Sequence, residues 1–451
     1  MEVYYVKNKI LSTTLIIILF IFCGILSFSF FIIRKYDKLI YPNVHVENIP
    51  VYDLEIEESK VVLHRDLEEK IYNKTLEILV EDEIYRTDYM ELGVKFNVDK
   101  ALNEAFDYGR DFNIFKKMSI ITKPNYINIK VELTFNEQAI DGIIAKIESQ
   151  TDVKAVDSKI KLINNGEFQI SDEIKGKKLD RDLLKKEIIK NINTSIDIEN
   201  IIIHATINEI NPKRTREELS KINASITSCS TNFNSSSSER SNNIRLATNA
   251  IDGTVIMPDE IFSFNNVVGE RTYSKGYEKA SVIMGDEFIN GLGGGICQVS
   301  TTLYNAVLRS ELEVVERRPH SLYITYVPLG QDATVNYGTT DLKFKNNLPY
   351  PIYIHGYTKN NTLSFDIYSN SKMKKKSYKI ESEISEVLKP MDKIKYDSNL
   401  QKGRRYVEKV GKNGYIVNVY KYIYEEGKLV EKKLVSKDKY KATDNMVRVG
   451  M

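Results

Sequence analysis

Tryptophan is absent from the 451 residues, which leaves 28 tyrosines and 17 phenylalanines to build any aromatic platform for a sugar. Cysteine is scarce. Its three positions, Cys23, Cys229 and Cys297, are too few for a disulfide framework and form no C-x-x-C pair of the kind that opens a structural zinc site. An excess of one charge is also missing: 64 Lys and Arg against 62 Asp and Glu give a formal net charge of +2, with no basic field to hold a nucleic acid. What is present, 42% hydrophobic and 28% charged residues, is the composition of folded globular material. The length suits about three domains held together by ordinary core burial.

One long apolar run stands near the start. Residues 10–33 carry only Ser and Thr as polar interruptions and are bounded by Lys9 and by Arg34, Lys35 and Lys38. That is long enough to span a bilayer core, and no A-x-A-like cleavage site follows it, so the run reads as an uncleaved anchor behind a short tail, residues 1–9. Basic residues flank it on both sides, so the charge rule leaves its orientation open. Cys23 lies inside the run and reads as a small apolar residue.

Beyond the run the chain is expected to be α+β. Residues 43–110 show a short strand in VHVENIPV, an amphipathic helix from about Leu54, a strand around LEILV and the segment LGVKFNVDKALNEAF. A weaker second copy follows at an offset of 83 residues, pairing Leu79 with Leu162, Tyr85 with Phe168, Gly93 with Gly176, Phe96 with Leu179 and Asp99 with Asp182. Two small α+β repeats over 43–210 are the expectation. His45, His64 and His204 fall in them without a second ligand at metal spacing.

Asn211 and Pro212 break this pattern, a charged helix is expected over Thr215–Ala224, and the polar run STNFNSSSSERSNN reads as a surface loop, either free or bordering a cleft. From Ile244 to about Tyr368 the texture is that of a β-rich domain with one embedded helix, its strands including LYITYV, ATVNY, LKFKN, YPIYIHGY and TLSFDIY. The basic stretch Lys372, Lys374, Lys375, Lys376 and Lys379 then leads to a final unit; it reads as a solvated linker or as a contact to an anionic polymer.

The segment GLGGGICQVSTTLYNAV, residues 291–307, is the most informative. A glycine-rich turn ending at a helix start leaves backbone N–H groups unpaired, and the positive end of the helix favours a thiolate. A low-pKa cysteine belongs there, and Cys297 occupies the position. The turn amides of Gly294, Gly295 and Ile296, with that of Cys297, are natural donors to an oxyanion. The bland alternative is a buried cysteine capping a structural turn. A base must reach the sulfur, and His320 and His355 are the available candidates. A helix to about Arg309 runs roughly 20 Å. A strand back across Glu313 to Pro319 covers about 23 Å. The two lengths nearly cancel and return His320 to the helix N-terminus, whereas His355 sits in an alternating strand where it can simply face solvent.

The orienting third group is open between Asp332 and Asp341, both of which also suit turn capping. If Tyr323–Val327 and Ala333–Tyr337 form a hairpin, counting places Asp341 nearer His320. Arg271, Tyr304 and Tyr337 are candidates to bind a carboxylate or a sugar, without a geometric argument. Cys229, followed by Ser230 and Thr231, reads as a packing residue; a bond to Cys297 would switch an enzyme off.

With these motifs assembled, residues 226–368 resemble the VanW domain through TNFNSSSSERSNNI, DGTVIMPDEIFSFNNVVGERT, GYEKASVI, GGGICQVSTTLYNAVL, ERRPHS, YVPLGQDATVNYGTTDLKFKNN and YPIYI, departing at Asp259, where the family usually has Gly. The preceding repeats resemble the peptidoglycan-binding domain commonly found before VanW domains. Residues 376–450 are similar to the five-glycine envelope module, an extended all-β structure, with Gly403, Gly411, Gly414, Gly427 and Gly450 at matching places.

The resemblance implies an L,D-transpeptidase with Cys297 as nucleophile; joined to the residue readings above, the expectation is a membrane-anchored enzyme acting on peptidoglycan stem peptides and glycan outside the membrane, with His320 as base, Asp332 as the third catalytic residue, Arg271 and Tyr337 binding substrate, no cofactor and no nucleic acid. Two other readings stand beside it. One is a non-catalytic wall-binding scaffold, and the other a cysteine L,D-carboxypeptidase or amidase in which water replaces the acceptor amine.

Overall fold

An apolar helix, Glu2–Lys35, begins the computed structural model, which describes residues 2–163, 166–194, 199–284 and 287–451. Its stretch Ile10–Lys35 is long and apolar enough to cross a membrane. Leu15, Phe20 and Phe28 are all mostly exposed. Arg34 and Lys35 close the helix where cations favour the negative end of the dipole.

The chain divides into two units, Met1–Ala155 with Lys175–Asn211, and Val156–Ile174 with Pro212–Met451. In the first, Thr75–Val80 and Glu83–Asp88 form a hairpin, and Asn200–His204 adds in parallel to the first of these strands. Helices Glu137–Thr151 and Arg181–Thr194 cover this sheet through Ile140, Ile144, Ile147, Leu184, Ile188 and Ile192, apolar residues three or four apart. A second core joins Ile40, Tyr41 and Val44 to Leu63 and Leu67 of helix Ile56–Tyr72 and to Ala101 and Leu102 of helix Val98–Asp107.

The repeat is visible as element order: strands Thr75–Val80, Glu83–Asp88 and Lys95–Phe96 before helix Val98–Asp107 recur as Ile160–Leu162, Phe168–Ile170, Gly176–Leu179 and Arg181–Thr194. The two copies do not fold as consecutive units. The strand after the second copy pairs with the first, and the hairpin Ile160–Leu162/Phe168–Ile170 belongs to the second unit. Alternation explains this: Ile160, Leu162, Phe168 and Ile170 form one apolar face against Leu219, Val255 and Tyr353, and the Phe168 ring meets Tyr353 and Tyr368 edge-on at 5.2 and 5.3 Å. Asn164 and Asn165 lie outside the described residues.

The second unit is built on an antiparallel sheet in the order Ala224–Asn232, Thr362–Ser369, Ile352–Lys359, Thr254–Ile256. Two helices pack on it, Ser238–Ile251 and Ile296–Leu308, through Ile244, Ala247, Ile251, Val299, Leu303 and Val307 against Leu363, Phe365 and Ile367. The first of these helices replaces much of the expected loop. Ser237 caps it, its Oγ accepting from Arg240 N at 3.3 Å, so the serine run is a helix start. Conversely, LYITYV and ATVNY form no strands; residues 321–342 are irregular, apart from an isolated bridge at Asn336 and Thr340.

Leu303 is fully buried between the second helix and the sheet. Leu303→Ala should cost about 2–5 kcal/mol, read from denaturant unfolding of this unit.

The chain then continues into two three-stranded sheets. One orders Lys376–Leu388, Gly414–Glu425 and Lys428–Tyr440, the other Asp392–Asp397, Asn445–Gly450 and Arg405–Lys409.

Candidate active site

Cys297 is the second residue of helix Ile296–Leu308. The turn before it reaches φ +104° at Gly295, where a Cβ would come within 2.9 Å of Ile244 Cγ1 and 3.0 Å of Arg240 Cγ, so only glycine fits. Of the amides expected to face an oxyanion, that of Ile296 is already engaged, donating to Gly293 O at 3.2 Å because the turn is wound tightly into the helix. The amides of Gly294, Gly295 and Cys297 have no partner among the described residues.

The helix is buried on all sides yet rich in polar side chains. These hold the irregular chain opposite it. Ser300 Oγ donates to Ala333 O at 2.7 Å, Thr301 Oγ1 accepts from Ala333 N at 3.0 Å, and Asn305 Nδ2 donates to Gln331 O at 2.6 Å. Gln298 Nε2 fixes the other side, donating to Thr231 Oγ1 and Asn232 O, both at 3.0 Å. A ladder that a hairpin would have made is thus replaced by side-chain bonds from the helix. That pulls Gln331–Ala333 toward the helix and places Asp332 beside His320.

The juxtaposition is tight. Asp332 Oδ2 accepts from the backbone N of His320 at 2.7 Å and lies 2.6 Å from its Nδ1. The ring also hydrogen-bonds Cys297, and with Nδ1 occupied, Nε2 is the nitrogen left for the sulfur. Cys297 Sγ lies 3.5 Å from Val335 O.

The electrostatics follow from these contacts. Burial pushes the thiol up, but the hydrogen bond and charge of His320, the Val335 backbone and the Arg271 guanidinium outweigh it, holding Cys297 below its usual range. His320, 6% exposed, is pulled down by burial but held up to about 9 by its bonds to Asp332 and Cys297 and by their charges. Burial likewise raises the Asp332 carboxyl, yet the bond and charge of His320, Arg317 and Tyr440 keep it below the ordinary carboxylate range.

Other candidates separate clearly. Asp341, which counting had placed nearer His320, instead accepts from Ser263 Oγ at 2.5 Å and Asn265 N at 2.9 Å at the start of helix Phe264–Val268; the missing hairpin is why the count failed. His355 pairs with Asp252 at 2.8 Å on the sheet. Tyr304 is 1% exposed beneath the Arg317 guanidinium, a core position with no access to ligand. Cys229 faces the main core, burial pushes its thiol up, and all three cysteines are unpaired.

Arg271 and Tyr337 sit together, the guanidinium 5.9 Å from the ring centroid. Arg271 Nη1 donates to Asn265 Oδ1 at 2.8 Å, while its Nη2 is buried without a partner among the described residues. Tyr337 is half exposed.

Several residues escaped the sequence reading. Arg240 holds Gln298 at 2.8 Å, and burial pulls its guanidinium down against the charges of Tyr326 and Cys297. Tyr326, hydrogen-bonded to Thr301, is pushed up by burial and then by the charge of Cys297. Arg317 and Tyr440 both reach Asp332 Oδ1, at 3.3 and 2.5 Å. The available signal was the polar set Gln298, Ser300, Thr301 and Asn305 on a helix otherwise apolar enough to be core.

A cysteine at a helix N-terminus, lined up with a histidine and a buried aspartate, defines the class of cysteine–histidine–aspartate sites, in which the base is oriented by a third group. Residues 239–368 match the family described as "VanW like protein", 85–199 the "Putative peptidoglycan binding domain" and 379–451 the "G5 domain". YoaR of Bacillus subtilis is 47% identical over 149 residues, 32% of this chain and 49% of that protein. The vancomycin B-type resistance protein VanW of Enterococcus faecalis is 30% identical over 110 residues, 23% of this chain and 40% of that one. Among solved structures, the crystal structure of HP0197-G5 covers 17% of this chain and 97% of its own at 27% identity, with a TM-score of 0.13. Residues 239–368 are thus similar to the VanW family, preceded by a segment that matches a peptidoglycan-binding domain and followed by one that matches a G5 domain. The chain spans less than half the length of these curated relatives.

Proposed function

We propose that this protein is a membrane-anchored L,D-transpeptidase that cross-links peptidoglycan outside the membrane through a cysteine acyl-enzyme. The observation that carries the reading is the hydrogen-bonded line from Cys297 through His320 to Asp332, with the thiol held low and the imidazole held up to about 9. The Cys297 thiolate attacks the carbonyl carbon of the third stem-peptide residue. Amides of Gly294, Gly295 and Cys297 receive the oxyanion. Collapse breaks the peptide bond to the terminal D-Ala, whose nitrogen takes the His320 Nε2 proton as it leaves, and a thioester remains. An acceptor amine then attacks the thioester, His320 removes its proton, and the thiolate departs, so one peptide bond is exchanged for another.

Asp332 keeps Nδ1 protonated and Nε2 aimed at the reacting atoms, as a positioning residue. The unpartnered Nη2 of Arg271, beside Tyr337, suits a stem-peptide carboxylate. The peptidoglycan-binding and G5 domains, with the helix Ile10–Lys35 as anchor, raise the local concentration of polymer and leave the chemistry unchanged.

The proposal has a pH signature. The thiolate–imidazolium pair forms as pH rises through the lowered Cys297 value and loses its imidazolium as pH passes about 9. Alkylation of Cys297 by iodoacetamide should therefore be half-maximal below the ordinary thiol value of about 8.5. With tetrapeptide muropeptides, the products should be dimers lacking one D-Ala. A midpoint at the ordinary value, or shortened stems without any dimer, would count against the transpeptidase.

A further inference from the structure

The side of Asp332 away from His320 is closed by residues from the C-terminal β module. Tyr440, the last residue of strand Lys428–Tyr440, donates its hydroxyl to Asp332 Oδ1 at 2.5 Å and accepts from Gly330 N at 2.7 Å. Asp438, two residues earlier, takes Arg317 Nη1 on both carboxylate oxygens at 2.7 Å, while Arg317 Nε and Nη2 reach Asp332 O and Oδ1 at 2.6 and 3.3 Å. The side chains of Arg317, Asp438 and Asp332 are each no more than 6% exposed, and Tyr440 is 1% exposed.

The surrounding contact is built for close approach. Val417, Val419 and Tyr440 pack with Tyr323 and Leu329. Gly330 has φ +80°, and a Cβ there would meet Val419 Cγ2 at 2.2 Å. Lys441 N donates to Ser321 O at 2.8 Å, one residue from His320.

From this geometry we infer that the C-terminal module is part of the catalytic unit, with Tyr440 and Asp438 acting as positioning residues for the His320–Asp332 pair. The inference rests on the cysteine-nucleophile reading above. A carboxylate as deeply buried as Asp332 stays ionised only while its oxygens are satisfied. His320 satisfies Oδ2; Oδ1 depends on Tyr440 and Arg317. Asp438 neutralises Arg317, so that the guanidinium does not compete with the imidazolium for the Asp332 charge. Removing the Tyr440 hydroxyl raises the proton affinity of Asp332, weakens the imidazolium, and leaves the Cys297 thiolate with less of a counter-ion.

The test uses the full chain in detergent, following alkylation of Cys297 by iodoacetamide against pH by mass spectrometry, with thermal unfolding of each variant alongside. Tyr440→Phe keeps the ring. It should slow alkylation at pH 7 about tenfold, the cost of one hydrogen bond to a charged group, and move the midpoint upward. Asp438→Asn changes the charge that Arg317 presents to Asp332 and should displace the midpoint from the parental value, which preserves the test if Tyr440→Phe fails to fold. Tyr415→Phe removes a hydroxyl from a neighbouring strand that makes no bond to Asp332, and should behave as the parent does. A folded Tyr440→Phe with the parental pH profile would overturn the inference, as would parental profiles in a folded Asp438→Asn. If the parent itself gives an ordinary thiol profile, the cysteine-nucleophile reading fails and the inference falls with it; a low midpoint in the parent with unmoved variants rejects the inference alone.

Discussion

Cys297→Ala should abolish formation of cross-linked dimers from tetrapeptide muropeptides, a loss of about 10⁶-fold, as when other acyl-transfer enzymes lose their nucleophile. The substitution removes one sulfur from a partly buried position whose neighbours are Val335 O and the His320 ring, so the fold should survive it. Helix Ile296–Leu308 remains held by the bonds of Ser300, Thr301, Asn305 and Gln298 to Ala333, Gln331 and Thr231, which do not involve the sulfur. A dimer yield equal to that of the parent would leave the non-catalytic scaffold as the better description. Quantifying dimers by chromatography, with unfolding curves for both proteins, decides the matter.

His320→Gln should reduce dimer formation by about 10²–10⁴-fold, the usual contribution of a positioned acid–base group. Its effect differs in kind from that of Cys297→Ala, because the nucleophile remains. Glutamine can still occupy the site beside Asp332 but carries no titratable proton and no positive charge. Cys297 then keeps its burial, which pushes the thiol up, and loses the bond and charge that outweighed it. Slow acylation should persist at high pH, where thiolate forms without help, so the deficit should narrow as pH rises. Full activity at pH 7 in a folded His320→Gln would remove His320 from the mechanism.

Much of this site could be read from the chain alone because its signals are local. Four glycines before Cys297 and a helical pattern after it mark a helix N-terminus whatever the rest of the chain does, and helix and strand lengths were enough to bring His320 back. The orienting carboxylate was not legible in the same way. Its place depends on whether residues 321–342 pair as a hairpin, and they do not, because Ser300, Thr301 and Asn305 compete for their backbone groups from the helix side. Tyr440 and Arg317 were invisible for a related reason: both act on Asp332 across distances in sequence that no periodicity reports.

The fold shows the same division. Strand Val44–Val46, helix Ile56–Tyr72 and strand Thr75–Val80 followed from alternation and helical spacing, whereas helices Ile114–Thr122 and Glu137–Thr151 were not anticipated. The strands' partners did not follow either. The parallel pairing of Asn200–His204 with Thr75–Val80, and the transfer of the Ile160–Leu162/Phe168–Ile170 hairpin to the second unit, are decided by which apolar faces meet. The serine run preceding Arg240 looked like a loop by composition, yet Ser237 is the cap that starts a core helix.

The most direct test of the central claim is the intact mass of the full chain after incubation with a disaccharide-tetrapeptide donor in the absence of acceptor. The account predicts an added mass equal to the donor less D-Ala, carried on the peptide containing Cys297 and released by hydroxylamine as a thioester is. An unchanged mass, with the donor recovered intact, would contradict it.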